Sequence, residues 1–320
     1  MNQVRHSARS GAGPTSRAAA DARLADPRVR AVALAVGVVA VSTAAILVRL
    51  AAAPPLALAW WRTGIAAVVL APFALRARVV PPGRQRVLLA ASGLLLAAHF
   101  SLWFVSLELT TVAASSVLVS LSPIVVGAGS AIALGEPPSR STWIGLVLSV
   151  LGAAVIVADD LTGAAGGPRA LLGDGLALAA AVAAAGYLLL GRHARRTLPV
   201  SVYGTWTYGC AALSLLLAAV LTGTDLGIGR GPGYPATTWL AITGLVVGPQ
   251  LLGHTVFNLV MARVSATVVA VVIIAEPVGA TILAALLLGE PPSGAFYVGT
   301  PLVLAGVLLA VRPQRSSATA

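Results

Sequence analysis

The sequence predicts an all-α integral membrane protein in which ten transmembrane helices form two inverted repeats of five helices. Three observations predict this fold. Apolar runs of about 20 residues fill the chain, arginines cluster in alternate links between those runs, and a motif of the first half recurs in the second. Only 10% of the residues are charged and 58% are hydrophobic, whereas roughly 25% of the residues of a soluble protein are charged. This composition excludes a water-soluble fold.

Ten apolar runs have the length of a membrane span, because about 20 residues at about 1.5 Å per residue cross a hydrocarbon core of roughly 30 Å. Pro, Gly and charged residues bound each run. The predicted spans are 31–50, 54–75, 86–107, 111–134, 142–158, 173–191, 199–222, 237–260, 265–288 and 294–311.

The arginines predict the orientation, because positive residues stay preferentially on the cytoplasmic side of a membrane. With the N-terminus inside, 17 of the 21 arginines lie in cytoplasmic segments, and only Arg49, Arg169 and Arg230 lie on the opposite side. Both termini are therefore predicted to be cytoplasmic. The net charge of +11 then reflects membrane topology, so we expect no nucleic-acid partner.

Two features of composition bear on compartment and chemistry. Every basic residue is arginine and Ala, Gly and Val are abundant, which is typical of a GC-rich bacterial genome, so we expect a multi-pass protein of the bacterial cytoplasmic (inner) membrane. Cys210 is the only cysteine, which excludes an internal disulfide framework and a CxxC metal site. We expect no cofactor and no metal.

A repeat relates the two halves of the chain. Residues 134–139 (LGEPPS) recur as 288–293, and at the same shift Pro123 matches Pro277. His99 matches His254 at a shift that differs by one residue. The predicted organisation is a disordered cytoplasmic tail at 1–29, a first five-helix repeat at 30–158, a second at 173–312 and a cytoplasmic tail at 313–320.

The odd number of helices in each repeat makes the second copy enter the membrane upside down. The two copies are then related by a pseudo-two-fold axis in the membrane plane, an arrangement that recurs among secondary transporters. Two similar halves can lean either way at similar energy, which produces inward-open and outward-open states. A substrate site is expected near the midplane, where the halves meet.

These motifs carry a family resemblance. Each half has a proline in the middle of its fourth span, a Gly-Glu-Pro ending to that span and a glycine-bearing fifth span. In this the sequence resembles the drug/metabolite transporter superfamily, specifically proteins with two EamA domains. The resemblance covers both halves and implies ten spans, cytoplasmic termini and export or exchange of small metabolites.

Ionisable side chains inside the spans are candidate functional groups, because such groups are unfavourable at a bilayer centre and are rare there. Glu276 lies near the middle of the ninth span and precedes Pro277, which cannot donate a backbone hydrogen bond. Arg62 lies within the second span. Their counterparts in the other half are Ser122 and Thr207, so each half contributes one unmatched charge. The two could form a salt bridge in the empty protein or bind the carboxylate and amine of an amino-acid-like zwitterion.

The two matching histidines extend the predicted site. His99 and Trp103 share one helix face, as do His254 and Asn258, because residues four apart are neighbours on a helix. The predicted substrate-binding residues are Arg62, His99, Trp103, His254, Asn258 and Glu276, with Glu276 also coupling transport to protons. A purely structural role stays open at this point for each histidine, for Glu276 as a protonated group bonded to a neighbouring helix, and for Arg62 as a group that reaches a carbonyl or the outer interface.

We therefore expect a secondary transporter that exports or exchanges a small metabolite by alternating access, with membrane lipids and a small-molecule substrate as partners. A membrane-embedded enzyme acting on a lipid or lipid-linked substrate is the alternative. It would need clustered carboxylates or a combination of histidine and acid at one interface, and the sequence offers only scattered groups such as Asp159 with Asp160. Whether the protein forms a homodimer is left open.

Overall fold

A computed structural model describes residues 24–162, 168–228, 233–289 and 294–310. Within these ranges the chain forms ten helices and no β-strand. Most of both predicted tails, together with Arg230 and Glu290, lies outside the described residues. The helices are α1 (Pro27–Leu50), α2 (Pro55–Ala77), α3 (Gly83–Leu109), α4 (Val112–Val119 followed by Ser122–Ala133), α5 (Arg140–Thr162), α6 (Pro168–Arg195), α7 (Val200–Thr222), α8 (Ala236–Val260), α9 (Ala266–Leu287) and α10 (Gly294–Ala310).

The predicted all-α fold with ten helices is confirmed. Eight of the described helices are long and apolar enough to cross a membrane, and α5 and α10 contain the shorter apolar stretches Arg140–Gly152 and Tyr297–Ala310. The first residues of two helices differ from the prediction. Helix α1 begins at Pro27, inside the predicted tail, and α6 begins at Pro168 rather than at 173. Proline is favoured in the first turn of a helix, where its missing amide costs nothing.

Three helices are interrupted near their middles. Helix α1 breaks at Thr43, α4 at Ser120–Leu121 and α9 at Ile274–Ala275. In α4 and α9 the break lies just before Pro123 and Pro277, because proline lacks the amide hydrogen and its ring clashes with the preceding turn. The breaks of α4 and α9 therefore fall at matching positions of the two repeats, whereas α6, the counterpart of α1, is continuous.

Helix α8 is irregular in a different way. Its central part, Val246–Thr255, is a π-helix that contains Pro249. A π-helical segment adds residues to each turn and is frequent at functional sites. The apolar pattern of the sequence did not predict it, because a run that is hydrophobic around the whole helix carries no signal for the winding.

The packing of the helices follows a two-fold axis. Helix α2 packs on α7, α4 on α9 and α5 on α10, so each of these helices contacts its own counterpart. Helix α3 packs on α6 and, in the symmetric contact, α8 packs on α1. A two-fold relation requires this exchange, in which a contact between two surfaces is matched by the reciprocal contact.

Close glycine contacts show the direction of the repeats. A Cβ added at Gly145 would lie 2.5 Å from the Gly306 carbonyl oxygen, and one added at Gly152 would lie 2.6 Å from the Gly299 carbonyl oxygen. From the first contact to the second, the residue number rises along α5 from 145 to 152 and falls along α10 from 306 to 299. These helices therefore run antiparallel. Because they are equivalent elements of the two repeats, the repeats are inverted.

Candidate functional site

A cavity lies at the points where α1, α4 and α9 are interrupted. It has about 550 Å³ of empty space, including its opening, and is lined by residues of both repeats. Five of the six predicted site residues line it, and the lining residues used below are Arg62, His99, Trp103, Ser120, Ser122, Tyr187, His254 and Glu276. The two repeats therefore place the unmatched charges and the two matching histidines around one cavity.

Arg62 is fully buried on α2 and is held on two sides. Its Nε donates a hydrogen bond of 2.6 Å to Oε1 of Gln250, which lies in the π-helical part of α8. Its guanidinium carbon lies 4.0 Å from the centre of the Phe100 ring, a cation–π contact. Among the described residues, Nη1 and Nη2 have no hydrogen-bond partner. The end of the guanidinium therefore keeps its donors free.

Glu276 is the first residue after the break in α9 and is only 7% exposed. Its backbone carbonyl accepts a hydrogen bond of 3.2 Å from the Ser42 hydroxyl of α1. Within the described part of the chain its carboxylate forms no hydrogen bond and no ion pair with Arg62, so the salt bridge considered as one alternative is not formed. Ser122, its counterpart in α4, lines the same cavity.

The two matching histidines meet across the cavity, with ring centres 6.4 Å apart. The Nδ1 of His99 donates to the Ala180 carbonyl of α6 at 3.1 Å, since a carbonyl oxygen can only accept. The neutral ring then presents Nε2 as an acceptor. The ring of Trp103 lies nearly parallel to His99, at 5.9 Å between centres. Together they form an aromatic wall.

Comparison with known proteins agrees with this architecture. Both halves match the model of the EamA-like transporter family, over residues 29–158 and 171–312. The chain belongs to the EamA-like transporter family. This EamA protein is thus a multi-pass integral membrane protein with a small-molecule substrate, and the alternative of a lipid-processing enzyme is wrong.

A solved structure described as "Crystal structure of protein" shares the fold of the EamA protein. The two superpose with a TM-score of 0.70 at 22% sequence identity, over 89% of this chain and 98% of that chain. At this identity the likeness concerns the fold alone. No curated protein sequence matches the chain at a significant level.

Asn258 differs from the other predicted site residues of the EamA protein, because it does not line the cavity. Its side-chain nitrogen donates to the hydroxyls of Tyr187 at 2.5 Å and Tyr208 at 3.2 Å. Tyr187 then stands between Asn258 and the cavity. In this structure Asn258 contacts the cavity through a lining tyrosine.

A charged cluster closes the ends of three helices on the side that the arginines predict to be cytoplasmic; we call this side the arginine-rich face. The Glu136 carboxylate, after α4, binds Arg192 of α6 through Nη2 at 2.8 Å and Arg196 through Nη2 at 2.7 Å. Arg192 Nη1 also donates to the Met261 carbonyl after α8 at 2.5 Å. We call these residues the clasp, and they join both repeats.

The end of α4 leaves the Glu136 side chain free for the clasp. The turn itself is made by Gly135, with a φ of 64°, and by the Glu136 amide, which donates to the Ser130 carbonyl. The carboxylate is therefore free to bind the arginines. Partial burial acts to raise the pKa of Glu136, but the hydrogen bonds from Arg192 and Arg196 outweigh it and hold that pKa below its ordinary value.

Sequence reasoning missed two contributors to the site, Gln250 and Tyr187. Gln250 is an uncharged amide within an apolar span, directly after Pro249, and it is fully buried. A buried amide needs partners, so its presence in the span was a usable signal. Tyr187 carried no such signal, because tyrosines are common on the faces of membrane helices.

Proposed function

We propose that the protein is a secondary transporter that exports or exchanges a small metabolite, such as an amino-acid-like zwitterion, by alternating access. The observation that carries the proposal is the cavity at the junction of two inverted repeats, lined by Arg62 from one and Glu276 from the other. Binding sites of transporters with inverted repeats lie at such junctions of interrupted helices.

The clasp supports the alternating-access part of the proposal. It ties the ends of α4, α6 and α8 together at the arginine-rich face, and these helices come from both repeats. Rocking of one repeat against the other must break it before this face can open. We place the protein in a bacterial cytoplasmic membrane with both termini in the cytoplasm, as the arginine distribution predicts.

Glu276 is the proposed proton-coupling group. Its carboxyl group lies at the cavity without a hydrogen-bond donor among the described residues, so a proton or the cationic group of a substrate can occupy it in turn. Such exchange at one carboxylate couples two fluxes, because the site must release one cation before it binds the other.

The test is a flux assay in proteoliposomes. Metabolites that raise the thermal stability of the purified protein are added outside the proteoliposomes in radiolabelled form. Their uptake is measured with and without an imposed pH gradient. We expect gradient-dependent flux in the wild type and gradient-independent exchange in Glu276→Gln. Glu108→Gln, which changes an exposed carboxylate outside the cavity, is the matched control.

Two results would reject the proposal at different levels. If no stabilising metabolite moves faster than in empty liposomes, the transport function is wrong. If Glu276→Gln retains the full response to the pH gradient, transport stands and the coupling role of Glu276 is wrong.

A further inference from the structure

We propose that the substrate carries a carboxylate group, which binds to Nη1 and Nη2 of Arg62 while Gln250 holds the guanidinium in position. This inference rests on the proposed function, since it takes the central cavity as the place where the substrate binds. It names the chemical class of the substrate and assigns a positioning role to a residue of the π-helix.

The first step is the state of the Arg62 donors. Arg62 is 0% exposed, and both Nη atoms are buried without a partner among the described residues. Arginine stays charged in proteins, and a buried charge is normally paired. A fully buried guanidinium that lines a cavity and lacks an anion is therefore a site prepared for one.

The second step is the direction of the free donors. One edge of the guanidinium is occupied by the bond from Nε to Gln250, 2.6 Å long, and one face is covered by Phe100. The end that carries Nη1 and Nη2 remains. Two nearly parallel N–H groups match the two oxygens of a carboxylate, and arginine is favoured wherever such planar, bidentate recognition is needed.

The third step concerns the other charges at the cavity. Glu276 lines the same cavity but does not pair with Arg62 among the described residues, so it leaves the guanidinium available. A substrate that is only cationic could reach Glu276, but it would leave the donors of Arg62 without an acceptor. A carboxylate satisfies Arg62, and an amine on the same molecule can reach toward Glu276. The geometry thus favours an organic acid or a zwitterion over a simple cation.

The experiment measures binding to the purified full-length protein in lipid nanodiscs by thermal shift. The probes are small amino, hydroxy and aromatic carboxylic acids, each paired with its own amide, with chloride and inorganic phosphate as inorganic anions. The amide keeps the shape of the acid and removes the charge. We expect at least one acid to stabilise the wild type, and its amide to fail at tenfold higher concentration.

Gln250→Glu is the decisive variant. It keeps the size of the side chain and the acceptor for Arg62 Nε, and it places a negative charge beside the guanidinium. We expect acid binding to weaken at least tenfold. Gln85→Glu makes the same change at a partly exposed position outside the cavity, where the side chain bonds only Thr197, and should leave binding unchanged. Arg62→Gln is a second variant with the same expectation where it folds.

The outcomes separate this inference from the proposed function. Stabilisation by amides or amines alone, by inorganic anions alone, or by no acid at all overturns it, as does unchanged acid binding in Gln250→Glu. Flux of the bound probe is then measured by counterflow in proteoliposomes. If an acid binds through Arg62 and is not transported, the inference stands and the transport function fails. If a cation without a carboxylate is transported, the transport function stands and this inference fails.

Discussion

Replacement of Glu136 by Gln should open the arginine-rich face. The variant keeps the shape of the side chain and removes the charge that binds Arg192 and Arg196. In the wild type Arg192 Nε lies 3.1 Å from both carboxylate oxygens, and two further contacts measure 2.8 and 2.7 Å. The perturbation therefore weakens four charge-assisted contacts at one point.

The expected magnitude follows from the exposure of the pair. The side chains of Arg192 and Glu136 are 15% and 21% exposed, between an exposed pair worth about 0–1 kcal/mol and a buried one whose disruption costs about 3–5 kcal/mol. Weakening the clasp should cost the closed state about 1–2 kcal/mol. Such a difference changes a two-state ratio by roughly 5- to 30-fold.

Cysteine accessibility measures this ratio. Cys210 is replaced by Ala, and Met261, which is fully buried at the clasp, is replaced by Cys as the reporter. The rate of maleimide modification in nanodiscs then follows the open fraction, and it should rise roughly 5- to 30-fold in Glu136→Gln. Glu108→Gln serves as the control. A rate within twofold of the wild type in Glu136→Gln would show that the clasp does not hold this face closed.

Three further predictions concern packing, hydrogen bonding and pH. Gly145→Ala should destabilise the protein by about 1–3 kcal/mol, because its Cβ meets the backbone of α10; thermal unfolding should show no loss in the control Gly175→Ala, which has open space. Asn258→Leu should cost about 1–3 kcal/mol by leaving the Tyr187 hydroxyl without its donor, and an unchanged melting temperature would contradict this. The lowered pKa of Glu136 means that the clasp is fully formed above the ordinary carboxyl value of about 4.3 and is lost as pH falls through the lower folded value. Reporter modification should therefore be flat from about pH 7 to 5 after correction for thiolate content, and a rise in that window would be inconsistent with the clasp.

Much of the architecture could be predicted because membrane spans and duplications leave strong marks in a sequence. The length of the apolar runs predicted ten helices, and the odd-numbered repeat predicted the inverted packing seen at Gly145 and Gly152. The breaks in α4 and α9 lie at Pro123 and Pro277, so the sequence marks their positions. The break at Thr43 in α1 did not, since no proline or glycine marks it.

The cavity was predicted less completely than the fold. Helical spacing indicates which residues share a face, so His99 and Trp103 were expected together and are found together. It does not indicate which neighbouring helix supplies a hydrogen-bond partner. The bond between Arg62 and Gln250, and the two tyrosines that use the Asn258 amide, depend on packing between helices distant in sequence. The substrate-binding and proton-coupling roles of the predicted residues stay predictions.

The glycine contact between α5 and α10 has a mechanical consequence. Between the two glycine contacts Ser149 donates to the carbonyl of Val303, its equivalent in the second repeat, so the pseudo-symmetry axis passes through the seam between the two helices. Small residues let backbones approach closely in a membrane, and Gly145, Gly152 and Gly306 allow this between α5 and α10. When two halves rock, points on the axis travel least. The seam can therefore act as a fulcrum for the rocking motion. Larger residues in the seam should slow turnover without changing any residue of the cavity.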